Sequence, residues 1–115
     1  MKTNYLCGLF LLCVLVWGRS EAHAEKPLKT LDLYLCIGQS NMAGRGKLSP
    51  EVMDTLQNVY LLNADDQFEP AVNPLNRYST IGKGLSWQQV GPAYGFAKTM
   101  ATKKHPVGLI VNARG

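Results

Sequence analysis

A short apolar segment near the end of the chain, residues 107–111 (VGLIV), limits the architectures that this sequence can adopt. A continuous apolar run of this length, rich in β-branched residues, is typical of a strand buried on both faces of a parallel sheet. An amphipathic helix is predicted just before it, because Pro92 suits a first helical position and apolar residues then recur on one face until the helix ends near Lys104. A helix followed at once by a buried strand predicts an α/β fold.

Two earlier strands complete this pattern. Residues 31–37 alternate large aliphatic residues with other side chains and stop at Gly38, and residues 59–62 form a second short apolar run. A short helix is predicted from Ser49 to about Leu56, and residues 63–91 are predicted to form a long loop that serves a binding site. The order strand, connection, strand, helix, strand predicts a three-layer α/β sandwich with helices on the faces of a parallel central sheet.

Residues 1–24 have the pattern of a secretory signal peptide. Lys2 gives a basic start, residues 9–17 are almost wholly apolar, and Ala22 and Ala24 are small residues at the positions that a signal peptidase reads. The apolar stretch is shorter than the roughly 20 residues needed to span a bilayer, so no stable membrane insertion is expected after cleavage. Residues 25–115 are then expected to be one domain of a secreted or periplasmic protein.

Composition argues against several classes of partner. The formal net charge is +4, the charges are dispersed, and residues 103–105 are the one basic cluster, so no nucleic acid partner is expected. After signal cleavage the chain keeps one cysteine, Cys36, and one histidine, His105, without the spacing of a metal site. We therefore predict no metal, no cofactor and no internal disulfide, and we interpret Cys36 as a buried strand residue.

The turn that follows the first predicted strand carries a candidate nucleophile, Ser40. A serine placed directly after a strand is held by rigid backbone and has its own N–H available to a substrate, as acyl transfer requires. Capping of a helical turn is the alternative role for this serine. Two better-known motifs do not fit, because Met42 stands where a nucleophile elbow needs glycine and Asn41 stands where a phosphate loop needs it.

Residues 37–46 (IGQSNMAGRG) closely resemble the opening block of the sialate O-acetylesterase and acetylxylan esterase group of SGNH hydrolases. Residues 67–70, 90–97, 108–110 and 113–115 are similar to the next segments of that group, in the same order. The resemblance covers residues 31–115. It implies a sandwich of the flavodoxin-like type and a secreted carbohydrate esterase that removes O-acetyl groups from sialic acid or an acetylated polysaccharide.

The resemblance also implies roles for individual residues. Ser40 would be the nucleophile and, through its N–H, one oxyanion donor, while Gly115 or the glycine expected after it would be a second donor. Gln39 and Asn41 would be site neighbours that shape the turn. The later blocks that supply a catalytic histidine and aspartate in this group are not found here. We therefore expect an N-terminal fragment of a longer esterase that is nearly inactive by itself.

His105 does not suit the role of the missing base. It precedes the last predicted strand, so it is expected at the sheet edge opposite to Ser40, roughly 17–20 Å away across a strand of five or six residues. We interpret it as a solvated turn residue. Two other functions stay open: a non-catalytic carbohydrate-binding relative, and a flavodoxin-like nucleotide-binding domain, which the lack of a phosphate-binding spacing after the first strand disfavours.

Overall fold

The computed structural model describes residues 30–81 and 88–115. The predicted signal peptide and part of the predicted loop, including Trp87, lie outside these residues. The elements in chain order are β1 (Asp32–Gly38), α1 (Ser40–Ala43), a 3-10 turn (Pro50–Val52), β2 (Val59–Leu62), β3 (Phe68–Pro70), α2 (Pro92–Met100) and β4 (Val107–Ala113). The four strands form one sheet in the order β1-β4-β2-β3.

The sheet is mixed and has β4 near its centre. β1 and β2 run parallel to β4 on its two sides, with Val107 opposite both Asp32 and Val59. At the other end of the ladder Gly38 lies opposite Ala113. β3 pairs antiparallel with β2. The α/β class is therefore confirmed, whereas the expectation of an entirely parallel sheet is wrong at β3.

β3 arises from a hairpin turn that the apolar pattern does not reveal. The side-chain oxygen of Asn63 accepts hydrogen bonds from the N–H groups of Asp65 and Gln67, each at 3.0 Å. Asp66 adopts a positive φ of 57° in the same turn. These local contacts reverse the chain directly after β2. The predicted loop over residues 63–91 thus begins with a hairpin, whose second strand is only three residues long.

The core lies on one face of the sheet. Four aliphatic side chains there are almost completely buried: Val59, Leu61, Val107 and Leu109. α2 covers this face, and its Phe96 meets Tyr34 of β1 edge-on with the ring centroids 4.8 Å apart. Cys36 is buried in the same cluster, and burial raises the pKa of its thiol. This is the environment expected for a structural cysteine rather than a reactive one.

The opposite face of the sheet is open at β1. Leu33, Leu35 and Ile37 alternate with the core residues of this strand and are 58%, 63% and 61% exposed. A helix packed on this face would complete the predicted three-layer sandwich, but in the described part of the chain α2 packs on the other one. The three-layer arrangement therefore stays a prediction.

α2 ends earlier than its apolar pattern suggests. Its last residue is Met100, whereas the sequence predicts an end near Lys104, and the last helical hydrogen bond is donated by Ala101. Beyond this point Thr102 and His105 close a turn, with the threonine hydroxyl accepting from the His105 N–H at 3.0 Å. A side chain that bonds the local backbone in this way competes with further helix formation. No helix in residues 30–81 or 88–115 has the length and apolarity to cross a membrane.

The helix predicted from Ser49 is also shorter than expected. Only Pro50–Val52 are helical, as a single 3-10 turn. The N–H of Leu56 donates instead to the carbonyl of Ala71 at 2.9 Å, and the Leu56 side chain is buried in the core. Tertiary contacts thus draw this segment out of the helix that its local sequence favours.

Candidate active site

Ser40 lies at the carboxyl edge of the sheet, directly after β1. It is the first residue of α1 and is half-buried. The residue that caps this helix is Gln39, and its side chain makes no capping hydrogen bond. The alternative that Ser40 serves as a helix cap therefore does not hold. Gln39 and Asn41, the two predicted site neighbours, flank the serine and are exposed.

The backbone of α1 gives the N–H of Ser40 no helical acceptor. Ala43 donates to the carbonyl of Gln39 at 3.0 Å, and Gly44 donates to the carbonyl of Ser40 at 3.1 Å. The N–H groups at the start of a helix precede these bonded donors and point outward along its axis. The Ser40 hydroxyl and a backbone N–H without a helical acceptor thus belong to the same residue, and their roles as nucleophile and oxyanion donor stay predictions.

Glycines let a second segment lie directly against this turn. A Cβ atom at Gly44, whose φ is 111°, would lie 2.2 Å from the carbonyl oxygen of Gln89. At Gly91 a Cβ atom would lie 2.6 Å from a carbonyl oxygen of α1. Gly46 and Val90 pair through an isolated antiparallel bridge. The glycines of the motif therefore act by permitting close backbone contact, not by cradling a phosphate.

The end of β4 reaches the same turn from the other side. The N–H of Arg114 donates to the carbonyl of Gly38 at 2.8 Å, which extends the parallel ladder past Ala113. A Cβ atom at Gly115 would lie 3.0 Å from the Cβ of Ala43. Gly115 is therefore packed against α1. The fold brings the two predicted oxyanion donors to one edge, and their catalytic roles stay predictions.

His105 lies at the opposite edge of the sheet, as expected. Its Nδ1 is 3.3 Å from a carboxylate oxygen of Asp32, and the two side chains are 71% and 46% exposed. Asp32 begins β1 whereas Ser40 follows the end of that strand, so roughly 20 Å of extended chain separates the pair from the serine. This pair resembles part of a catalytic triad in composition, but its place in the fold excludes contact with Ser40.

A buried asparagine that the sequence reasoning missed holds the end of β4. Asn76 is 1% exposed, and its carboxamide bonds both main-chain groups of Ala113. Its Nδ2 donates to the Ala113 carbonyl at 2.9 Å, and its Oδ1 accepts from the Ala113 N–H at 2.9 Å. Nearby, the hydroxyl of Ser79 donates to the side-chain oxygen of Asn112 at 2.8 Å. The loop before residue 81 is thus part of the site's framework.

The carboxylate of Glu69 in β3 is hydrogen-bonded to this loop and to the turn after β2. Tyr78 donates its hydroxyl proton to one carboxylate oxygen at 2.6 Å, and Asn63 donates to the other at 3.2 Å. These two hydrogen bonds, the first above all, lower the pKa of Glu69, and the same contact raises the pKa of Tyr78. Glu69 therefore serves as a hydrogen-bond acceptor within the fold. Among the residues that the structure describes, no three potential metal ligands lie together.

Known proteins resemble this chain in sequence and in structure. The family model for carbohydrate esterases described as sialic acid-specific acetylesterases matches residues 30–115. An X-ray structure of a protein from Arabidopsis thaliana is similar, with 28% sequence identity and a TM-score of 0.59, over 72% of this chain and 40% of that one. The chain thus spans less than half of the length of this solved relative. A search of curated proteins found no significant match.

Proposed function

The chain belongs to the family of carbohydrate esterases described as sialic acid-specific acetylesterases, and from this membership we propose that its protein hydrolyses O-acetyl esters of carbohydrates with Ser40 as the nucleophile. The observation that carries the proposal is the position of Ser40 after β1, where the backbone at Gly115 is packed against the same short helix. Nucleophile and backbone donors then approach a carbonyl group from fixed positions.

The reaction has two steps. The Ser40 hydroxyl oxygen attacks the acetyl carbonyl carbon while its proton passes to a histidine base, and the oxyanion that forms accepts hydrogen bonds from the N–H of Ser40 and from Gly115 or the residue after it. The sugar oxygen then leaves with that proton, and the acetyl group stays on the serine. Water attacks this acetyl-enzyme in the second step, which releases acetate and restores the serine.

The base and its aspartate come, in this proposal, from outside residues 30–115. His105, the histidine in that range, lies at the wrong edge of the sheet. We propose acetylated sialic acid as the first substrate to test and an acetylated polysaccharide as the second. We also propose export of the protein through residues 1–24 to the periplasm or the exterior, which an amino terminus at Glu25 on the exported protein would support.

The role of Ser40 as the nucleophile is tested by substitution in the full-length protein. Ser40→Ala is expected to lower acetate release from O-acetylated sialic acid and from an aryl acetate by about 10³-fold or more. Ser49→Ala, in the turn before Pro50, is the matched control and should keep the rate within about twofold.

Two outcomes would count against this proposal. Unchanged hydrolysis after Ser40→Ala would show that another residue is the nucleophile. Binding of acetylated sugars without any acetate release by the wild-type protein would instead favour a non-catalytic carbohydrate-binding relative. Covalent labelling by a fluorophosphonate, located on Ser40 by mass spectrometry, gives an independent check of the activated serine.

A further inference from the structure

The end of β4 lacks a neighbouring strand on one side. β2 pairs with β4 only as far as Leu61 opposite Leu109, whereas β1 accompanies β4 to Ala113. Successive residues of a strand direct their main-chain groups to alternate sides, and Arg114 bonds to β1. The N–H and C=O of Ala113 therefore face the side on which β2 has already ended. Buried main-chain groups in this position need another partner.

Asn76 supplies that partner. Its carboxamide carries one donor and one acceptor in the plane of the group, as a peptide unit of a neighbouring strand would, and both are used on Ala113 at 2.9 Å. The hydroxyl of Ser79 lies 2.8 Å from the Asn112 side-chain oxygen and 3.0 Å from the Ala113 carbonyl, and its single proton is shared between these two acceptors. Asn76 thus continues the sheet for one residue beyond β2.

The loop that carries Asn76 is itself held in shape. The guanidinium of Arg77 donates to the carbonyls of Val72 at 2.6 Å, Asn73 at 2.7 Å and Pro74 at 3.1 Å. Three carbonyls bound to one cation fix the backbone immediately before Asn76. The Asn76 carbonyl also accepts from the N–H of Ser79 at 3.0 Å, so the asparagine is held at its main chain as well as at its carboxamide.

We propose that Asn76 is a positioning residue of the esterase site, which sets the backbone of residues 113–115 against the turn that carries Ser40. This inference rests on the proposed function. The end of β4 is held by a link on each side: the Arg114 N–H bonds Gly38 on the β1 side, and on the other side Asn76 bonds both main-chain groups of Ala113, with the Ser79 hydroxyl near the carbonyl alone. Loss of the second link lets the predicted donor at Gly115 shift, and a displacement of about 1 Å costs an enzyme about 100-fold in rate.

The loop contains a matched control residue, Asn73. It is also an asparagine at 1% exposure, three positions earlier, but its Nδ2 donates to the carbonyl of Val52 at 2.8 Å. Asn73→Ala and Asn76→Ala each remove one buried carboxamide from the same loop. Only Asn76→Ala removes contacts to Ala113. A general loss of stability should therefore appear in both variants, and a positioning effect in one.

The experiment compares both variants in the full-length protein, at a temperature where circular dichroism shows each to be folded. Asn76→Ala is expected to lower kcat for an aryl acetate by about 10- to 100-fold, with KM within about threefold. Asn73→Ala should keep kcat within about twofold of the wild type. Asn76→Asp has nearly the same volume, and its ionised carboxylate cannot donate to the Ala113 carbonyl, so at alkaline pH it should fail to restore kcat.

A second readout does not depend on activity. The Ala113 N–H donates to Asn76, so its hydrogen exchange should accelerate at least tenfold in Asn76→Ala and stay unchanged in Asn73→Ala. Equal losses of kcat in the two variants, full activity of Asn76→Asp, or unchanged exchange at Ala113 would each overturn the inference. A wild-type protein without esterase activity would refute the proposed function, and exchange at Ala113 and Gly115 would still decide whether Asn76 positions this backbone.

Discussion

The two edges of the sheet each present a residue that hydrolases use, yet they are constructed differently. At the carboxyl edge Ser40 stands among main-chain groups joined by short contacts, such as the 2.8 Å hydrogen bond between Arg114 and Gly38. At the amino edge His105 lies in a turn and meets Asp32 through side chains that are largely exposed. Rigid backbone, rather than the presence of a reactive side chain, therefore distinguishes the candidate site from an ordinary surface.

The carboxyl and amino edges of the sheet also differ in how far their hydrogen-bonded groups are exposed to water. The carboxamide of Asn76 bonds a main chain that is buried, where the loss of a partner leaves donors and acceptors unsatisfied. The pair of His105 and Asp32 loses little when it opens, because water replaces each partner. Substitutions at the carboxyl edge should therefore have larger effects than substitutions at the amino edge.

Gly44→Ala is expected to have the largest effect on stability. The new Cβ would lie 2.2 Å from the Gln89 carbonyl oxygen at a φ of 111°, so the turn after Ser40 must shift or unfold. We expect a loss of about 3 kcal/mol or more in the free energy of unfolding, measured by urea denaturation.

Gly95→Ala is the matched control, since nothing lies within 4 Å of its Cβ position in α2. It should stabilise the protein by about 0.5–1 kcal/mol. Similar effects in both variants would mean that the backbone at the carboxyl edge is not tightly held.

The distance along the chain between interacting residues explains which features could be predicted from the sequence. β1, β4 and the turn at Ser40 follow from patterns within ten residues or fewer, so periodicity and motif reveal them. The link between Asn76 and Ala113 joins residues 37 positions apart, and no local pattern encodes it. β3 was missed because an Asx turn, not an apolar repeat, creates it. After the early end of α2, Thr102 and His105 close a turn through backbone and hydroxyl hydrogen bonds, which a helical pattern of apolar residues does not reveal.

An intermediate effect is expected from Glu69, which lies in the outer strand β3 and accepts hydrogen bonds from Tyr78 and Asn63. Its pKa is lower in the folded protein than in the unfolded chain, because Tyr78 and Asn63 donate to the carboxylate. The stability that it contributes is therefore fully present above the unfolded pKa and is lost as the pH falls through the folded pKa. Glu69→Gln should reduce the loss of unfolding free energy between neutral pH and about pH 3, measured by urea denaturation at both values.

A double variant of Glu69 and Tyr78 tests whether the hydrogen bond between them causes the pH dependence of stability. Tyr78→Phe removes the larger cause of the shift, so it should reproduce most of the effect of Glu69→Gln. Combining the two substitutions should then add little, because they remove the same interaction. Fully additive effects would show that Glu69 and Tyr78 act independently, and the pH dependence would need another source.

The smallest effect is expected at the amino edge. A contact between side chains that are 71% and 46% exposed gains little over hydration, so His105→Ala should change the free energy of unfolding by no more than about 0.5 kcal/mol. Acetate release by the full-length protein should stay within about twofold of the wild type, because roughly 20 Å of strand separates this residue from Ser40. A loss of activity comparable with that of Ser40→Ala, without unfolding, would contradict the division between the two edges. Such a result would require the histidine to act in a different arrangement of the chain from the one in which β1 and β4 run parallel.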